Sequence, residues 1–223
     1  MEYFLIHEAR YKKILREIRG LGELQGKKLK ILDVGCFPYH LGAALEKLGH
    51  EVWGISSTHE PIKNKKVAIL NIEIDSFPYK DTTFDLVLCS EVLEHLPRSP
   101  MPALKEMYRV AKPSGHVLIT TPNINGSIHL ILRIFGRAPL SENEENVYHR
   151  HNHEYTLGEL SGVVTNAGWK VTRAKHFISY HPFRRRNKGD NPLLWTGKFA
   201  NFLLMLALPR LRDTLLVIGA KEA

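Results

Sequence analysis

The sequence predicts an α/β doubly wound, mostly parallel sheet of seven strands whose last strand runs antiparallel. Three observations predict it. Apolar periodicity alternates along the chain between short strand-like runs and helical runs, the pattern of parallel strands with helices on both faces. The first four strand-like runs are short and bounded by turn residues, as strands buried on both faces are. A long segment joins the last two runs, which allows an antiparallel return to the sheet.

The elements follow in order. Residues 3–19 read as an amphipathic helix with Phe4, Leu5, Ala9, Ile14, Leu15 and Ile18 near one face. Strands are expected at 29–34, 51–55, 66–71, 84–89, 115–121, 169–179 and 213–219. Helices are expected at 41–48, 100–111, 126–135, 156–167 and 193–208. There is no internal repeat and no low-complexity linker, so residues 1–223 read as a single domain. It carries an N-terminal helix over 1–20 and insertions at about 124–155 and 181–210.

Composition narrows the functional classes. A chain of 223 residues with 43% hydrophobic and 24% charged content has the make-up of a soluble globular domain with a large core. Its cysteines, Cys36 and Cys89, each end an apolar strand and read as buried thiols of a reducing, cytoplasmic compartment. The first residues lack a signal-peptide pattern, and no apolar run reaches the roughly 18 residues of a membrane span. The net charge of +8 suits an acidic partner: nucleic acid, anionic lipid or a phosphorylated substrate. A basic but otherwise ordinary surface explains the charge as well.

In doubly wound sheets ligands bind beyond the carboxyl ends of the strands. Function is therefore expected after residues 34, 55, 71, 89 and 121, where the sequence is most unusual. After the first strand it reads ILDVGCFPYH, residues 31–40. The Asp-x-Gly-Cys start of a nucleotide-binding turn is followed by Phe, Pro, Tyr and His instead of further glycines.

Five ordered blocks, ILDVGC, HEVWGIS, FPYKDTTFDLVLCSEVLEHL, ALKEMYRVAKPSGHVLITTPN and HEYTLGELSGVVTNAGW, together resemble the class I S-adenosylmethionine-dependent methyltransferases. The resemblance spans about residues 28–180 and returns in RDTLLVIGAKE near the end. It implies the Rossmann-like methyltransferase fold and S-adenosylmethionine as cofactor. Asp33 and Gly35 would lie under the methionine part. The residue ending the second strand, Ser56, would meet the ribose hydroxyls. Glu73 and Ile74 would meet the adenine by side chain and backbone, and Ser90 and Glu91 would close the pocket. The sequence departs from the family at two places. Gly-x-Gly-x-Gly is replaced by Gly35, Phe37 and Tyr39, which requires a different loop path with Pro38 near the first turn of the next helix. The new aromatics, Phe37 or Tyr39, could face the sulfonium. Ser56 stands where a carboxylate is usual and cannot accept two hydroxyl hydrogen bonds at once; Ser57 or Glu60 could substitute. The changed turn also admits a non-catalytic binding protein on the same fold.

SEVLEHL, residues 90–96, suggests a metal. On a helical turn Glu91, Glu94 and His95 fall at i, i+3 and i+4, on one face, where they could hold Mg²⁺ or Mn²⁺. Glu-x-x-His pairs serve that way in di-iron bundles, whereas many relatives carry a similar Glu-x-x-Glu-His string without metal. YHRHNHEYTLGEL, residues 148–160, adds histidines at 149, 151 and 153. The pair of segments resembles the ubiquinone-biosynthesis O-methyltransferases and the small-RNA 2′-O-methyltransferases. That resemblance makes His151 the fourth ligand, with Thr156 and Glu159 as a capping box. A cation chelated by adjacent oxygens would lower the pKa of the attacking hydroxyl. Without metal, His95, His151 or His149 is the candidate general base and Glu91 its acidic neighbour.

The acceptor is less legible. SIHLILRIF, 127–135, and LLWTGKFANFLLMLAL, 193–208, are apolar almost all round, and the basic run 184–188 precedes the second. They are either buried or form a lid on a membrane surface, which would suit a small-molecule, glycan or lipid-linked substrate and a peripheral membrane contact through 184–208. RNA is the weaker partner, because the basic stretches 12–19, 27–30, 63–66 and 184–188 lack interleaved aromatics.

Overall fold

The computed structural model describes residues 2–21, 26–57, 66–134, 151–179 and 192–222. Helix α1 (Glu2–Arg19) leads into strand β1 (Lys30–Val34), helix α2 (His40–Lys47) and strands β2 (Glu51–Ser56) and β3 (Val67–Ile69). Strand β4 (Phe84–Ser90), helix α3 (Met101–Val110), strand β5 (Ala111–Pro122) and helix α4 (Ser127–Ile134) follow. Helix α5 (Leu157–Asn166), strand β6 (Lys170–Phe177), helix α6 (Pro192–Ala207) and strand β7 (Thr214–Ala220) complete the chain.

The strands form one sheet in the order β3-β2-β1-β4-β5-β7-β6. The pairings from β3 to β5 are parallel, and β7 runs antiparallel to both β5 and β6. This is the expected doubly wound sheet with its antiparallel last strand. Strand order reverses between β1 and β4, which opens a crevice beyond their carboxyl ends.

Alternation along each strand divides the core in two. Leu32, Val87, Cys89, Val117 and Ile119 face one way, against Leu104 and Met107 of α3 and Leu160 and Val164 of α5. Ile31, Leu86, Leu88 and Leu118 face the other way, against Ile14 and Ile18 of α1 and Leu41 and Leu45 of α2. Cys36 and Cys89 are buried free thiols in these separate layers. Helix α1 is also tied to the sheet edge. Burial would raise the Glu17 carboxyl, but hydrogen bonds from Lys175 (2.6 Å) and Arg173 (2.7 Å) of β6 hold it below the usual range.

The expected elements are present, with shifted ends. β5 begins at Ala111, earlier than periodicity suggests, because Ala111 pairs with Phe84 before an irregularity in the ladder. Pro38 precedes α2 and Tyr39 caps it, so the proline is outside the first turn. The basic run 184–188, Glu60 and His149 lie outside the described residues. Among the described residues no helix is long and apolar enough to cross a membrane.

Candidate active site

The turn after β1 is built on one glycine. Gly35 has φ +78°, and a Cβ there would stand 2.2 Å from Val92 Cγ2. Its N–H and that of Cys36 both donate to the Ile55 carbonyl at the end of β2, at 2.8 and 3.0 Å. Four residues after Gly35, Tyr39 also takes positive φ, +67°, where glycine is usual. The ring is buried over Gly42 of α2, and its hydroxyl donates to Glu46 at 3.1 Å. Left-handed backbone costs about 1–2 kcal/mol for a residue with a Cβ. Burial of an aromatic ring outweighs that. The expectation that Tyr39 faces the sulfonium is therefore corrected: its ring packs into the α1–α2 layer. Phe37 remains at the cleft, 41% exposed.

The structure brings Asp33, Gly35, Phe37, Ser90 and Glu91 together around this cleft, with Arg10 of α1. Asp33 is buried at the end of β1, and burial pushes its carboxyl up to about 7. Glu91, at φ +56°, turns its side chain back across the end of the sheet. Its Oε2 pairs with Arg10 at 3.0 Å, and its Oε1 accepts from the Thr120 hydroxyl at 2.9 Å. With that proton committed, Ser90 must be the donor in its 2.9 Å bond to Thr120. The buried Arg10 Nε has no hydrogen-bond acceptor among the described residues.

A second cluster lies just beyond. Residues Leu93–His95 form a 3-10 turn, not an α-helical one. The single face expected for Glu91, Glu94 and His95 is therefore not formed, and Glu91 belongs to the cleft. Glu94 instead joins His95 and His151, with one ligating atom from each within 4.8 Å of the others. Backbone bonds hold the two segments together. The Glu94 carbonyl accepts from the N–H groups of Asn152 (2.7 Å) and His153 (3.1 Å), and Asn152 Nδ2 donates to the His95 carbonyl. The Thr156–Glu159 capping box then starts α5. Glu94 is fully buried. Its Oε2 accepts from the Thr121 hydroxyl at 2.9 Å, while Oε1 has no hydrogen-bond donor among the described residues. Burial, and then the Glu91 charge, hold its carboxyl well above the usual range.

The adenosine side is less complete. Ser56 is buried at the end of β2, with exposed Ser57 after it. The Oε1 of buried Glu73 accepts from the Arg98 N–H at 2.9 Å. Ile74 is 67% exposed and its N–H is spent on the Asn71 carbonyl, so only its carbonyl remains to meet a base.

The residues fit both groups that the sequence implies. The carboxyl of Asp33, buried at an open cleft, has no cationic partner among the described residues, and the cofactor's ammonium would supply one. The buried Glu94 Oε1, without a hydrogen-bond donor among the described residues and 3.9 Å from His95 Nε2, suits a divalent cation shared with two imidazoles. Sequence reasoning missed Arg10, Thr120, Thr121 and Glu154. The adjacent threonines ending β5 were the available signal, since one hydroxyl faces each cluster.

Comparison with known proteins agrees with this geometry. The methyltransferase domain family matches residues 6–174. The chain is 30% identical over 179 residues to the ubiquinone biosynthesis O-methyltransferase of Alkalilimnicola ehrlichii, covering 75% of this chain and 70% of that one. The enzyme of the same name from Paracidovorax citrulli is 30% identical over 184 residues, with 76% and 74% covered. Among solved structures, a Thermotoga maritima methyltransferase described as a possible histamine N-methyltransferase superposes with a TM-score of 0.65 at 17% identity, covering 99% and 93%. One from Archaeoglobus fulgidus gives 0.63 at 17%, covering 99% and 100%. The fold, the Asp33–Gly35 turn at its crevice and the family match make this chain a member of the class I S-adenosylmethionine-dependent methyltransferases.

Proposed function

We propose that the protein methylates a hydroxyl of a small, glycan or lipid-linked substrate, with a divalent cation, Mg²⁺ or Mn²⁺, held by Glu94, His95 and His151. The observation that carries this reading is the convergence of Glu94, His95 and His151, with ligating atoms within 4.8 Å of one another and a buried Glu94 Oε1 that accepts no hydrogen bond among the described residues and is met by His95 Nε2 only at 3.9 Å. Bound S-adenosylmethionine supplies the electrophilic methyl group, and the cation would acidify the acceptor hydroxyl. The chain's own residues do the rest. Asp33 and Arg10 hold the amino-acid end of the cofactor, and Gly35 gives it room. Without the cation, His95 or His151, each about 30% exposed on the side chain, would be the base that takes the hydroxyl proton.

The relatives' name, ubiquinone biosynthesis O-methyltransferase, supports an oxygen acceptor. The surface supports an apolar one. Ile128, Leu130, Ile131 and Ile134 of α4 and Leu203, Leu206 and Leu208 at α6 are exposed, and α4 packs on α6. The exposed charges among them, Arg133, Lys198 and Arg210, are all cationic. That combination suits contact with an anionic lipid surface.

The test is titration calorimetry with S-adenosylhomocysteine, with and without Mn²⁺. Micromolar affinity, about −8 kcal/mol, is expected. Glu94→Ala together with His151→Ala should abolish metal-stimulated activity and leave that affinity nearly intact. Absence of binding under both conditions rejects the enzyme reading; full activity of the double variant with chelator present rejects the cation.

A further inference from the structure

Glu154 stands between the second cluster and the substrate-side helix. Its Oε1 lies 2.8 Å from His151 Nδ1 and its Oε2 lies 3.0 Å from His129 Nδ1 on α4. The carboxylate is 8% exposed, so water does not compete strongly for it. The contact with His129 is an ion pair whose angle falls short of a hydrogen bond. The contact with His151 meets hydrogen-bond geometry.

A carboxylate can only accept, so the shared proton of that bond sits on His151 Nδ1. In the neutral imidazole the other ring nitrogen, Nε2, is then a bare lone pair. The imidazole also packs edge-on against His95, with ring centroids 5.1 Å apart, which limits its rotation. We propose that Glu154 is a positioning residue: it fixes His151 as the Nδ1–H tautomer, keeps Nε2 available as base or ligand, and ties that state to α4 through His129. The second half follows from the shared carboxylate. A displacement of α4 moves His129, and Glu154 with it, so the helix carrying Ile128, Ile131 and Ile134 reports its position to His151. His129 is the natural point at which acceptor docking would be felt.

This inference rests on the reading of Glu94, His95 and His151 as a working cluster, and the experiment separates the two. The protein labelled with ¹⁵N in histidine is examined by NMR, metal-free, at a pH well above the ordinary imidazole range; Mn²⁺ alone is then titrated and followed by electron paramagnetic resonance. Wild-type His151 should show the Nδ1–H tautomer, and Glu154→Ala should shift it towards Nε2–H. Mn²⁺ affinity should fall roughly 10–100-fold in that variant, the usual effect of losing a carboxylate behind a ligating histidine. Glu154→Gln should rescue the tautomer, since its amide oxygen still accepts from Nδ1–H. The expected tautomer and its shift, without Mn²⁺ binding to wild type, would support the positioning role and reject the cation. An Nε2–H tautomer in wild type, or one unchanged in Glu154→Ala, overturns the proposal. The wild-type spectrum decides even if the alanine variant does not fold.

Discussion

Asp33→Asn should make the protein more stable and a poorer binder of its cofactor. Asp33 is 3% exposed, and its carboxyl is pushed from 3.8 to about 7 by burial alone. The folded state thus keeps a proton over a pH range in which the unfolded chain has lost it. Unfolding then releases a proton, so this residue's contribution to stability is full below about pH 4, falls as pH rises through about 7 and is level above. Each pKa unit is worth about 1.4 kcal/mol, so the ionised side chain costs about 4 kcal/mol at alkaline pH. Asn has the same shape and no charge to desolvate. Urea denaturation of both proteins across the range should show little difference at acidic pH. A gain for the variant approaching 4 kcal/mol should develop above neutrality. Calorimetry with S-adenosylhomocysteine should show the opposite trend, a loss of roughly tenfold to a hundredfold as a charge-assisted bond to the ligand ammonium disappears. A stability difference that does not vary with pH, or an Asn variant less stable at alkaline pH, would refute the argument that Asp33 is held ionised at the protein's expense.

Three further outcomes follow from the geometry. Gly42→Ala should lower stability by about 1–2 kcal/mol, because the new Cβ would lie 2.7 Å from Tyr39 Cζ and overpacking outweighs the roughly 1 kcal/mol of helix propensity gained; a raised melting temperature would contradict the Tyr39 packing. Asn123→Ala should cost about 2 kcal/mol or more, since Nδ2 of this fully buried residue donates to the carbonyls of Arg210 (3.0 Å) and Arg212 (2.7 Å). Asn123→Asp should be worse, as it sets a carboxylate against the same carbonyls; chemical denaturation ranks the two. Ile131→Glu with Ile134→Glu should weaken binding to anionic vesicles by roughly tenfold or more at unchanged folding stability. Equal flotation of variant and wild type with those vesicles would remove the lipid contact.

The fold was legible because its evidence is local and repeated. Short strands such as β1 and β4 announce themselves by apolar runs ending in polar residues, and each such end lies at the crevice. The lining of the cleft was legible where position follows from place on a strand, as for Asp33, Gly35 and Ser90. It was less so where backbone conformation decides direction. Glu91 and Glu94 are three residues apart, but positive φ at Glu91 and a 3-10 turn at Leu93–His95 send them to different clusters. Tyr39 illustrates the same limit, because only the space above Gly42 shows where its ring goes. Arg10 was hidden for another reason: its partner Glu91 lies 81 residues away in sequence; of the partners of Glu154, His151 is three residues off but His129 is 25 away.

The aromatic turn also bears on what the protein ignores. Pyrophosphate recognition in doubly wound sheets depends on glycines that let backbone amides come close to the anion. Here both amides of Gly35 and Cys36 are spent on Ile55, Phe37 occupies the approach, and Asp33 and Glu91 present carboxylates to the cleft. A phosphate arriving there finds those two amides taken and two carboxylates beside it, with Arg10 as the cation of the cleft. The turn thus withholds the backbone cradle on which pyrophosphate cofactors rely, and the crevice discriminates by what it lacks as well as by fit.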